Sequence, residues 1–211
     1  LYMLGNNVEV TEVSDLAGKS IVASGQGGTP EYVLQKVLEY AGLEMGKDVK
    51  VEWLASHADV NTKLLSEEGT IAMIPEPFVS TALAAGKEGV AQLFDLNVLW
   101  NEATGQELPM VARKSFVEER ADDLKVLLAD YQASVDFVNN SPAEAAAAIV
   151  EKGFIGKAEI AEAAIPNCHI VLYSGDQAAA GAAMLKTFNE TLFAMNPAAV
   201  GGALPGDELY Y

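Results

Sequence analysis

An α/β fold, with strands and helices alternating along the first half of the chain, is predicted by three features. Short apolar runs recur with helix-length amphipathic segments between them, and the loops leaving those runs are rich in glycine and proline. The chain is also 211 residues long and half apolar, enough to bury a substantial core and to make disorder a poor reading.

Ser20 to Ala23 is a short apolar run after Asp15-Leu16-Ala17-Gly18-Lys19, and it predicts a buried strand that opens into the loop Ser24-Gly25-Gln26-Gly27-Gly28-Thr29. Thr29 suits an N-cap and Pro30 a first helical position. Val33, Leu34, Val37, Leu38 and Ala41 then make one helical face, closed by Gly42. Val49, Val51 and Trp53 alternate as a strand, and Val60, Leu64 and Leu65 predict a helix ending near Gly69. Ile71 to Ile74 reads as the next strand, running into Pro75-Glu76-Pro77-Phe78 before a helical face of Val79, Leu83 and Ala84.

After Trp100 the composition changes, and Asn101 to Glu107 reads as a polar connection between two lobes. Leu124, Leu127, Leu128, Tyr131, Val135 and Val138 predict one long amphipathic helix ending at Asn139-Asn140. Ser141-Pro142-Ala143-Glu144 has the residues of a capping box, so a new helix is expected there, stopped by Gly153. Ala158 to Ala164 is a short helix, Ile165 to Leu172 a turn and an extended run, and Gln177 to Ala194 a helix ended by Asn196-Pro197.

Asp and Glu outnumber Lys and Arg by 30 to 13, a formal net charge of −17, which repels phosphate backbones and anionic membranes and argues against a nucleic-acid partner. An anion can still bind locally where backbone N–H groups converge. Cys168 is the single cysteine, so neither an intrachain disulfide nor a thiolate zinc site can form. No apolar run reaches the roughly 18 to 20 residues of a membrane-spanning helix. The N-terminus lacks the order of basic, apolar and cleavable segments of a secretory signal, so an exported form is expected to carry its signal outside these residues.

The loop from Ser24 to Thr29 is the strongest candidate for binding, because glycines ahead of a helix can turn N–H groups towards a carboxylate, sulfonate or phosphate. It lacks the Lys-Ser/Thr end of a nucleotide-binding loop, and a tight structural turn reads equally well from the same residues. Glu76, between two prolines at a strand end, could accept hydrogen bonds from a ligand, or could simply favour a helix start. His57 reads as a solvated loop residue. Cys168 and His169 are neighbours on an extended segment and point apart, so Cys168 reads as a half-buried structural thiol. Trp53 and Trp100 suit a core better than a stacking platform. No nucleophile elbow, acid pair or metal-ligand spacing is present, so no catalytic residue, metal or cofactor is assigned.

The motifs Asp15 to Ile21, Ser24 to Glu31, Ile74 to Phe78, Ala164 to Cys168 and Leu204 to Tyr211 together resemble the type II periplasmic binding proteins of the nitrate/taurine and thiamine-precursor group. The resemblance implies two α/β lobes with mixed sheets flanked by helices, closing on a small polar or anionic organic solute. That solute would be a sulfonate, nitrate or pyrimidine-like compound, passed on to an ABC permease in the membrane, and the protein would be no enzyme. It implies an extracytoplasmic place, in the periplasm or lipid-anchored. On this pattern residues 1–9 are a crossover and remnant of lobe one, 10–99 lobe two, 100–107 a second crossover and 108–211 the mostly helical return of lobe one. Ser24, Gly25, Gln26, Gly27, Gly28, Thr29 and Glu76 would line the cleft, with Asn167 and Cys168 facing it from lobe one. Members of the group begin with roughly a hundred further residues, so this form is expected to self-associate or to repack its returning segment. Effector domains of LysR-type regulators share the architecture, as do thiamine-pyrimidine synthases, whose cysteine-rich motif has no counterpart here.

Overall fold

The structure, a computed structural model, describes residues 1–104 and 114–210. The chain divides into two compact units, Leu1–Gly105 and Gln106–Tyr211. The first holds a five-stranded mixed sheet: β1 (Tyr2–Asn6), β2 (Ser20–Ser24), β3 (Lys50–Leu54), β4 (Ile71–Ile74) and β5 (Val90–Asp95), in the order β3-β2-β4-β1-β5. β2 runs parallel to β3 and β4, pairing Ala23 with Trp53 and Ile21 with Ile71. β1 is antiparallel to both of its neighbours, with Met3 opposite Met73 on one side and Phe94 on the other.

Helices α1 (Thr29–Tyr40), α2 (His57–Ser66), α3 (Phe78–Ala84) and α4 (Leu96–Thr104) connect or follow these strands. From β2 to β3 the chain steps one way along the sheet, and from β3 to β4 it steps back across β2. Right-handed crossovers therefore put α1 and α2 on opposite faces. Tyr2, Leu4, Val22, Ala72 and Ile74 form one core with Val60 and Leu64 of α2 and Val79 and Ala82 of α3. The alternate residues Met3, Ile21, Ala23 and Met73 point to the other face and are buried as well. The sheet is covered on both sides at β1 and β4, which are buried throughout and, but for Gly5 and Asn6, apolar.

The second unit is helical among its described residues: α5 (Lys114–Glu119), α6 (Ala121–Asn140), α7 (Pro142–Glu151), α8 (Ala158–Ala164) and α9 (Ala178–Met195). One cluster of its core is made of small side chains, Ala145, Ala146 and Ala161 with Ile165, against Val138, Ile149 and Ile155. Alanine on facing helices allows close approach but removes little apolar surface from water per residue.

Several sequence expectations need correction. Tyr2–Asn6, to which the sequence assigns no strand, forms β1, hydrogen-bonded on both sides within this sheet. Val90 to Asp95 is an unforeseen strand, and Asn101 to Thr104, expected in a polar connection, lie in α4. The rest of that connection and the apolar run at 108–112 lie outside the described residues. The N-cap of α1 is Gly28, one residue ahead of Thr29, and Ser141 precedes α7 without a side-chain capping bond. The stretch 170–172 is irregular, since among the described residues no strand lies beside it to complete a ladder.

Candidate functional site

The sheet order places a topological switch at β2. The connection leaving the carboxyl end of β2 goes to one face and that leaving β3 to the other, so the two loops diverge and a crevice opens between them. A cleft of about 400 Å³ lies there. Ser24 and Gly25 line it from the end of β2, Ala55 and Ser56 from the loop after β3, His57 and Ala58 from the first turn of α2, and Phe78 from the start of α3.

Local sequence dictates each wall. Gly25 and Gly27 take left-handed φ angles of 89° and 79°, which other residues resist, and the Gly28 N–H closes the turn on the Gly25 carbonyl at 3.1 Å. Ser56 caps α2 by accepting from the Asp59 N–H at 3.2 Å while its hydroxyl donates to the Asp59 carboxylate at 2.7 Å. Phe78 is half-buried and its ring lies 5.6 Å from the His57 ring at 52°. His57 Nδ1 lies 2.5 Å from the hydroxyl of Ser24, which is buried.

The structure thus brings two of the expected binding residues, Ser24 and Gly25, to the cleft wall. Gln26, Gly27, Gly28 and Thr29 continue away from it around the turn and into α1. The Gly27 N–H, foreseen as an anion donor, is taken at 2.6 Å by the carboxylate of Glu31, in the first turn of α1. A negative side chain at a helix N-terminus is favoured by the dipole, so the protein supplies its own anion at this point. Glu76 lies just ahead of α3 and reaches into its first turn, accepting from the N–H and the hydroxyl of Ser80, each at 3.1 Å. Asn167 and Cys168 belong to the second unit. Asn167 donates to the Ala163 carbonyl at 3.1 Å, and Cys168 is exposed, against the expected half-burial.

His57 is the residue that the sequence reading missed. It is no solvated loop residue but the first residue of α2, half-buried and facing Ser24 and Phe78. The signal was available, because it directly follows a strand end and Ser56 is a good N-cap. What this wall offers is hydrogen-bonding groups beside the apolar Ala55, Ala58 and Phe78, with no lysine or arginine among the described residues that line it. Among the described residues no three His, Cys, Asp or Glu side chains group into a metal site, and no helix is long and apolar enough to cross a membrane.

Residues 8–151 match the model of the NMT1-like family. The chain belongs to this family. The chain's fold is that of periplasmic binding proteins. Over all of its length it matches the periplasmic aliphatic sulphonate-binding protein SsuA of Escherichia coli, with a TM-score of 0.73 at 18% identity, and it spans 65% of that protein. An ABC transporter structure from Parabacteroides distasonis matches equally, with a TM-score of 0.73, 20% identity, all of this chain and 69% of the other. The alkanesulfonate-binding protein SsuA of Xanthomonas axonopodis pv. citri, bound to MOPS, gives a TM-score of 0.60 at 15% identity over 99% of this chain and 67% of its own. Comparison with curated proteins gives no match.

Proposed function

We propose that the chain is the solute-binding part of an extracytoplasmic carrier that delivers a small polar or anionic organic solute to an ABC permease, without altering it. One observation carries the reading: in a chain of the NMT1-like family, a cleft with hydrogen-bonding and apolar walls opens at the topological switch of the sheet. Ligands of α/β sheets bind at that place. The likeness to sulphonate-binding proteins supports the solute class, and the likeness to an ABC transporter structure supports a permease as partner.

Native mass spectrometry on protein purified without added solute tests this directly. The expected result is a retained small molecule whose mass gives its class and which is recovered unchanged after prolonged incubation. Recovery of a chemically converted solute, or a protein that retains nothing from the cell extract and binds none of its small molecules, would overturn the proposal.

A further inference from the structure

Ser24 ends β2 at 3% exposure, and among the described residues its hydroxyl has one hydrogen-bond partner, His57 Nδ1 at 2.5 Å. That single contact leaves two tautomers to weigh. With the ring proton on Nδ1, the hydroxyl would have to accept, and its own hydrogen would be buried without an acceptor. With Nδ1 bare, the hydroxyl donates and is satisfied, and buried donors are overwhelmingly satisfied. That second tautomer carries the ring proton on Nε2. Among the described residues Nε2 has no partner, and His57, its ring against that of Phe78, is one of the residues that line the cleft.

We propose that the Ser24–His57 pair sets solute specificity: buried Ser24 holds the imidazole so that His57 Nε2–H donates to the solute, while Phe78 packs on the solute's apolar body. Resting on the carrier reading above, this names the solute class as a compound bearing an acceptor oxygen or ring nitrogen on a short apolar or flat frame. On this wall, where the described lining residues include no lysine or arginine, the acceptor is recognised through a hydrogen bond. A solute that offers only donors, such as an alkylammonium, meets another donor at Nε2 and is rejected. His57 is therefore a contact residue and Ser24 a positioning residue.

The test uses the 211-residue protein with ¹⁵N-labelled histidine, at a pH alkaline enough to keep imidazoles neutral. The probes are propane-1-sulfonate, uracil and n-butylammonium. The free protein should show one histidine with bare Nδ1 and protonated Nε2. At least one of the first two probes should bind in calorimetry and move the Nε2 resonance, and butylammonium should do neither. His57→Phe keeps a flat ring but no donor and should lose affinity roughly 5- to 30-fold, the size of a typical hydrogen-bond loss. His57→Gln, which can place an amide N–H near Nε2, should recover most of it. Ser24→Ala should leave the tautomers mixed, with a smaller loss of affinity. Thermal unfolding of each variant separates lost binding from lost folding. A proton on Nδ1, binding of neither acceptor probe, or full affinity in His57→Phe overturns the inference. A retained cellular solute alongside a reversed tautomer sinks this inference and spares the carrier reading, whereas a converted solute sinks the carrier reading.

Discussion

At the scale of single residues, Asp15 shows how a short motif becomes a structural fastening. Its carboxylate accepts from the N–H groups of Thr11 and Glu12 at 2.9 and 3.1 Å and from the Thr11 hydroxyl at 3.1 Å. These bonds hold its carboxyl below the ordinary aspartate range, with the Thr11 N–H the largest cause and the Glu12 N–H next. A carboxyl depressed in the folded state stabilises the fold fully above its unfolded value, roughly pH 4, and loses that contribution as pH falls through the folded value. The carboxyl carbon of Asp15 should titrate with a midpoint below that of a free aspartate in a ¹³C NMR series. A midpoint at or above the free value would remove Asp15 from the account of acid stability. Asp15 was legible in the sequence as part of a motif, but its partners were not, because the bonds depend on how residues 11 to 15 fold back. Glu31 is likewise part of a motif whose contact the sequence does not reveal. The loop's glycines were plain to read, but the carboxylate that fills the Gly27 N–H comes from the following helix.

At the scale of elements, α2 is held at both ends by side chains. Ser56 caps its start, and Asn6, buried on β1, donates to the Leu64 and Glu67 carbonyls at 2.7 and 3.0 Å near its end. Helix ends leave carbonyls without intrahelical partners, and burying them unpaired is costly. Asn6→Ala should therefore destabilise the chain by about 2–4 kcal/mol, two lost bonds and their desolvated acceptors. Urea denaturation with an unchanged m-value would measure it, and a loss below about 0.5 kcal/mol would mean that the carbonyls find other partners. Elements with a clear period were legible: α1, α2, α6 and α9 lie within a few residues of their expected spans, because one apolar face at helical spacing is a local signal. β1 was not, since a strand buried on both faces has no alternation and its partners, β4 and β5, lie far along the chain. β5 was missed for the opposite reason. It lies at the sheet edge, where Ala91 and Gln92 are exposed and blur the pattern. α4 shows its face only through Leu96 and Trp100, one turn apart, and its polar end reads as a loop.

At the scale of the whole molecule, the two units differ in how their cores are built. The twelve largest fully buried side chains among the described residues, from Tyr2 to Leu96, all belong to the first unit. In the second, Val135, Ala145, Ala146, Ala161, Ala164, Ile165, Phe188 and Leu192 are the buried apolar residues among those described, and half of them are alanine. Burial stabilises by about 25 cal/mol per Å², so an alanine-built core gains much less per ordered residue, while backbone entropy costs about the same throughout. On α6, Val126, Leu127, Tyr131 and Phe137 are exposed and contribute little burial to that core. The first unit also keeps its strands in one sheet, and β1 ties residues near the start of the chain to strands some 70 to 90 residues on. Cooperative units with few buried contacts open at lower free energy. In native-state hydrogen exchange on the 211-residue chain, the amides of β1, β2 and β4 should therefore be the slowest, protected by the full global stability. Those of α6 to α9 should exchange earlier and as a group, and in a urea series their loss of protection should precede that of the sheet. Equal protection of both sets, lost at one urea concentration, would show that the two cores unfold as one and that the difference in side-chain burial does not govern stability.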